Sequence, residues 1–185
     1  MTSLSNTVRI GMRVVFFFIQ FVKYFQIHTK MAVSKESASF RRKLALIIGN
    51  DGYSQSCNRL NQSRNNAKDL SNLLKTINFE VTRRNDLNKQ DMTTNIIDFS
   101  KTVHDGDLVL FYFSGHACDA NGKNYFIPVD VTIESDRDIE DFSVHIERQL
   151  ERLVNRNTSG LTILIVDCYK SYLLEKTKSK GEYSC

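Results

Sequence analysis

Tryptophan is missing from the 185 residues, proline occurs once and cysteine four times. A single proline with eight glycines excludes collagenous and proline-rich classes. Cys57, Cys118, Cys168 and Cys185 fall at irregular spacings with no CxxC pair, which argues against a disulfide framework and a zinc site. Reduced thiols fit a cytoplasmic chain. A phosphate-binding loop is lacking too, since Gly49-Asn50 has neither the further glycines nor the lysine. Acids are absent from residues 1–35, which hold Arg9, Arg13, Lys23, Lys30 and Lys35. The net charge of +4 therefore belongs to that leader, and the other 150 residues carry −1. A positive excess so placed is not the footprint of a nucleic-acid-binding domain.

What remains is globular in composition, 41% hydrophobic and 25% charged, and long enough for one domain. Residues 1–40 read as a separate leader, 41–172 as the domain and 173–185 as a polar tail. In the leader, Val14 to Ile19 is apolar, but Lys23 falls inside the roughly 20-residue window that a membrane-spanning helix needs. Three readings stay open: an internal start at Met31, interfacial membrane contact by residues 12–27, or a targeting segment without a clear cleavage site.

From residue 43 onward, apolar runs alternate with helical stripes. Lys43 to Asn50, Asp107 to Ser114 and Leu161 to Val166 are continuous apolar runs, the pattern of strands buried on both faces. Phe79 to Thr82 is a shorter strand, and Tyr125 to Pro128 a short extended segment. Ala67, Leu70, Leu73, Leu74 and Ile77 form one helical stripe, with Ser63 or Asn65 as its cap. Met92, Ile96, Phe99 and Val103 form a second, opened by Asn88. Ser143 to Asn155 is a third helix. This order predicts an α/β fold with a mostly parallel sheet between helices. Leu44–Ile48, Val109–Phe113 and Leu161–Val166 are expected side by side, with Phe111, Phe113, Ile163 and Ile165 inaccessible and the sheet edge beyond Leu161–Val166 unpaired.

Sites in such sheets form beyond the carboxyl ends of the strands. Three strand ends carry polar residues: Gly49-Asn50-Asp51, Ser114-Gly115-His116 and Asp167-Cys168. A thiol at one end and an imidazole at another make a candidate dyad, because thiol hydrolysis needs an ionisable nucleophile beside an acid–base group. Cys118 and Asp119 beside His116 give too few ligands for a metal.

LALIIGNDGY, LNQSRNNAKDLSNLLKTINFEV, GDLVLFYFSGHACDANGKNYFIPVD and LTILIVDC together resemble the caspase-like family, nearest its paracaspase and metacaspase branch. The resemblance covers about Lys43 to Tyr172. It implies a three-layer caspase-like fold, with the chain ending before the family's later strands. It also implies a cysteine-type endopeptidase with His116 as general acid–base and a basic P1 preference. Ala117 would supply the oxyanion amide, and Asp167 and Asn66 the substrate pocket. No cofactor is expected, with calcium activation implied only by the resemblance. The partner is a peptide or protein substrate, or another caspase-like chain.

Departures from the family pattern are specific. The family places its nucleophile two residues after the aspartate, where this chain has Tyr169, and Cys168 stands one residue early. Alanine replaces glycine at 117, Asn66 stands where the basic-specific branch has an acid, and Leu60 stands where caspases have an arginine. The alternative reading is therefore a catalytically silent module or a truncated product. Without a shift in the strand, Tyr169 faces His116 and Cys168 points away; with a one-residue slip, the reverse holds.

Overall fold

The computed structural model describes residues 14–18, 40–54, 59–133 and 135–170, with 14–18, 136, 169 and 170 described by backbone alone. The elements are β1 (Val14–Phe18), β2 (Lys43–Gly49), α1 (Ser63–Thr76), β3 (Glu80–Asn85), α2 (Lys89–Thr102), β4 (Leu108–Ala120), β5 (Lys123–Phe126), α3 (Asp136–Phe142), β6 (Val144–His145), α4 (Ile146–Val154) and β7 (Leu161–Lys170). Five strands lie in the order β1-β7-β4-β2-β3, each parallel to its neighbour. β5 turns back antiparallel along the far half of β4, and β6 adds to β5.

Strand alternation divides the apolar runs between two cores. Leu44, Leu46, Ile48, Val109, Phe111, Phe113, Leu164 and Val166 pack against Met92, Ile96 and Phe99 of α2 and Ile146, Leu150 and Leu153 of α4. The intervening Ala45, Ile47, Leu110 and Tyr112 face Ala67 and Leu74 of α1. Helices on both faces explain why these strands are apolar throughout. The three-layer caspase-like α/β architecture is as expected, with Leu44–Ile48, Val109–Phe113 and Leu161–Val166 adjacent and parallel.

Several expectations are corrected. The edge of β7 is paired: Val14–Phe18, assigned to the leader, runs parallel to Thr162–Val166. The rest of the leader, the Met31 start and the tail from residue 171 lie outside the described residues. Among the described residues no helix is long and apolar enough to cross a membrane. Phe111 and Phe113 are buried, but Ile163 and Ile165 are only half-buried. They face the α1 side, and α1 packs over β2, β3 and β4.

The α1 stripe is rotated from the predicted one. Ser63, Ala67, Ser71 and Leu74 are buried, Leu70 is half-buried, and Leu73 and Ile77 are exposed at 60% and 47%. Small residues win the inward face because the helix sits very close to β2. A Cβ at Gly49 would stand 2.5 Å from the Ser63 carbonyl oxygen and 2.8 Å from Ala67 Cβ. Neither Ser63 nor Asn65 caps the helix. Asp51, from the loop after β2, accepts from the Ser63 and Arg64 amides at 2.7 and 3.1 Å. The predicted third helix, Ser143 to Asn155, is α4, which starts at Ile146 after the short strand β6; α3, with a Ser135–Asp138 capping box, precedes it and was not predicted. β3 runs on through Arg83, Arg84 and Asn85, which an edge strand tolerates on its solvent side.

At the amino end of the sheet, fully buried Asp107 is held by Arg42 Nη2 and Nε at 2.7 and 3.2 Å and by the His104 amide at 2.9 Å. Burial pulls the Asp107 pKa up, but the Arg42 and His104 donors outweigh it, and the net shift is down. The carboxylate therefore stabilises the fold above its ordinary value near 3.8, and that contribution is lost as pH falls through the lowered folded value. Arg42→Ala leaves a buried carboxylate without its cation and is expected to cost about 2–3 kcal/mol, below a fully buried pair because Arg42 is partly exposed. Urea unfolding at neutral pH measures the loss, which should shrink as the pH is taken below about 4.

Candidate functional site

The carboxyl ends of β2, β4 and β7 converge, and β4 and β7 do not stop where the sequence suggests. β4 continues through Ser114-Gly115-His116 to Ala120, and β7 through Asp167-Cys168 to Lys170. Their parallel pairing holds to the end: Ser114 pairs with Asp167, Gly115 with Cys168, His116 with Tyr169 and Ala117 with Lys170. After His116 the strand continues into a β4–β5 hairpin, closed at Asn121-Gly122 with both residues at positive φ. Along it, Cys118 is buried and Asp119 exposed, so successive residues face opposite ways and do not form one ligand set. Among the described residues no group of three or more His, Cys, Asp or Glu could hold a metal.

His116 is 8% exposed and is positioned by Tyr53, a residue in the quoted GNDGY stretch to which the sequence assigned no role. The His116 amide donates to Tyr53 Oη at 2.7 Å, and Tyr53 Oη donates onward to the Ile127 carbonyl at 3.3 Å. The two rings lie 4.5 Å apart between centroids. Burial raises the Tyr53 pKa, so the hydroxyl stays protonated and able to donate. A Cβ at Gly115 would come within 2.7 Å of Tyr53 Oη, so a glycine is required at this approach. The loop carrying Tyr53 is itself fixed by charge: Asp86 accepts from the Asp51 and Gly52 amides, both at 2.8 Å, and Arg64 bridges Asp51 and Asp86.

Cys168 takes the other side of the sheet. It packs with Ala117 against the core formed with α2 and α4, the face of Phe113 and Val166. His116 lies two residues along β4 from Ser114 and four from Tyr112, on the α1 face. The residue directly across from the histidine is Tyr169. The strand has therefore not slipped, and Cys168 points away from His116. The Tyr169 side chain lies outside the described residues, so the half of the expectation that concerns its ring is not addressed. Burial first, then the Asp167 charge, pushes the Cys168 thiol well above its ordinary value, while the Gly115 amide at the sulfur pulls the other way.

Asp167 and Asn66, named together from the sequence, are brought together: Asn66 Nδ2 donates to Asp167 Oδ2 at 3.2 Å. Tyr112 Oη donates to the same oxygen at 3.0 Å, and Ser114 Oγ stands 3.5 Å from it. Tyr112 was read only as part of an apolar strand; its hydroxyl, at an even position shared with Ser114 and His116, was the available signal. Burial and the Asp167 charge raise the Tyr112 pKa, so it too remains a donor. The result is a half-buried carboxylate lined by neutral donors at the mouth of the α1 face. Ala117 is extended in β4 between Phe126 and Lys170, so alanine there meets no left-handed geometry. Leu60 is half-buried in the cluster around Tyr53. Cys57 and Cys185 lie outside the described residues.

Two tests follow from this geometry. Tyr53→Phe removes the acceptor for a buried amide and is expected to cost about 1–3 kcal/mol in urea unfolding. With Cys57 and Cys185 replaced by serine, Cys168 should react with iodoacetamide at pH 8 more slowly than a free cysteine. His116→Ala should leave that rate unchanged, because no imidazole assists the thiol.

Residues 42–183 match the family model Peptidase_C14, the caspase domain. The human "Mucosa-associated lymphoid tissue lymphoma translocation protein 1" is 25% identical over 125 residues, covering 68% of this chain and 15% of that protein. Its mouse homolog is likewise 25% identical over 125 residues, covering 68% of this chain and 14% of that protein. The chain thus spans less than a fifth of the length of these relatives.

Proposed function

The chain belongs to the caspase-domain family, and on that premise we propose a caspase-like module that binds a basic side chain of a peptide or protein without hydrolysis through Cys168. The observation that carries this reading is the pairing of Gly115 with Cys168 and His116 with Tyr169. An aspartate and a cysteine separated by one residue would share a face of an extended strand; adjacent, they are sent to opposite faces. Asp167 keeps the α1 face, with Tyr112 and Asn66, and Cys168 leaves it. Recognition and catalysis are thereby separated at one strand end.

The bound group is an arginine or lysine side chain donating to Asp167. Tyr112, Ser114 and Asn66 orient the carboxylate, and Asn66 adds no second charge where the basic-specific branch has an acid. The similarity to the two mammalian relatives supports the paracaspase side of the family. One observation favours the alternative, a cysteine endopeptidase: the Gly115 amide at the Cys168 sulfur stabilises the thiolate. Burial and Asp167 outweigh it.

Anisotropy with a labelled arginine-containing peptide should detect binding that Asp167→Ala weakens about 10- to 100-fold, the worth of one charge-assisted hydrogen bond. Asn66→Asp should tighten it. Fluorogenic substrates with arginine or lysine at P1 should show no turnover. Turnover abolished by Cys168→Ala would overturn the silent reading and establish the protease.

A further inference from the structure

The two oxygens of the Asp167 carboxylate are in different situations. Oδ2 accepts from Tyr112 Oη at 3.0 Å and from Asn66 Nδ2 at 3.2 Å, with Ser114 Oγ 3.5 Å away. A carboxylate oxygen has about two lone-pair sites, so these donors fill it. Among the described residues nothing donates to Oδ1. Asn66 has turned its amide nitrogen to the carboxylate, and its carbonyl oxygen accepts no bond among the described residues. Asn66 is exposed and Asp167 half-buried, so the mouth of the site is open to water.

An arginine and a lysine need different things from this carboxylate. A guanidinium binds best as a fork, with two parallel N–H groups on the two oxygens. Here the second prong meets an Oδ2 whose lone pairs are taken, with the Tyr112 and Asn66 donors crowded round it. The planar fork cannot redirect that N–H. An ammonium is a point charge with three rotatable N–H groups. It gives one to Oδ1 and turns another to the Asn66 carbonyl or to water. Its strong hydration, a handicap in a dry pocket, costs little at an open mouth. The four-carbon stem has apolar surface to lie on. Leu70, one turn along α1 from Asn66, and Ile165, two residues before Asp167, are both half-buried on this side of the sheet.

We infer that Tyr112 and Asn66 set the specificity of this site: by occupying Oδ2 they leave Asp167 a single open oxygen, and the site selects a lysine side chain over an arginine. The inference rests on the reading of Asp167 as the binding carboxylate and adds to it the order of the two ligands. Tyr112 is the firmer determinant, because its ring is buried and its hydroxyl stays protonated. Asn66 works twice, closing Oδ2 with its nitrogen and receiving the ammonium with its carbonyl. Both side chains are neutral, so neither subtracts from the charge that attracts the cation.

Two labelled peptides that differ only in one lysine or arginine test it by fluorescence anisotropy on the full chain, alongside Asp167→Ala, Tyr112→Phe and Asn66→Ala. The lysine peptide should bind about fivefold or more tighter than the arginine peptide, the worth of one modest hydrogen bond. Asp167→Ala should weaken both. Tyr112→Phe keeps the buried ring and reopens one site on Oδ2, so it should move the lysine-to-arginine ratio about fivefold towards arginine. Asn66→Ala, at an exposed position of α1, should move the ratio the same way, weakening lysine and strengthening arginine. A merely structural role for either residue would lower both affinities together and leave the ratio unchanged, and that result would overturn the inference. Equal or tighter binding of arginine by the parent, with both peptides dependent on Asp167, would overturn it too while sparing the basic-side-chain reading. Binding of neither peptide, or binding indifferent to Asp167→Ala, would remove that reading and the selectivity with it.

Discussion

The in-step pairing of β4 with β7 is the constraint on which the site depends. Ten consecutive residues of β7 follow β4 without a bulge, from Leu108 opposite Leu161 to Ala117 opposite Lys170. Buried Leu164 and Val166 fix the phase of β7 against the α2 and α4 core, because a one-residue slip would turn both into the opposite face. Everything beyond Val166 inherits that phase. Asp167 falls on the side of Tyr112, and Cys168 on the side of Phe113.

That inheritance makes the two proposed activities compete for one register. Turning Cys168 toward His116 by sliding the whole strand end would carry Asp167 away from Tyr112 and Asn66, dismantling the pocket that would hold a basic side chain. A bulge confined to the Asp167–Cys168 step could serve both, since it adds a residue to one strand without shifting what precedes it. The ladder contains no such bulge. The register therefore keeps Asp167 with Tyr112 and Asn66 and leaves Cys168 on the opposite face.

Much of the architecture was legible because apolar runs and helical stripes are large signals. KLALIIG, LVLFYF and LTILIV could only be buried strands, and their adjacency followed from the fold class. The register of the site was legible only as two alternatives, in step or slipped by one residue, and the strand pairing with the buried phase of Leu164 and Val166 decides between them. Positions set by close approach were not. The inward face of α1 went to Ser71 and away from Leu73 because Gly49 lets the helix come close, and no hydrophobicity pattern encodes that distance. Tyr53 was hidden for a related reason: its partner is a backbone amide at His116, and backbone partners leave no trace in residue identity.

The same distinction explains the leader. Composition set residues 1–40 apart, and an apolar stretch interrupted by Lys23 left three readings open, a leader before an internal start, an interfacial segment or a targeting segment. The missing information was a vacancy elsewhere: the uncharged Leu161–Val166 stretch of β7, with one partner assigned and one edge bare. A bare edge of that composition and an unassigned apolar segment in the same chain are complementary, because each offers the other unpaired backbone groups and apolar surface to remove from water. Considered together, the two irregularities account for each other. β1 then belongs to the domain that begins at residue 41, joined to it through the strand that also carries Asp167.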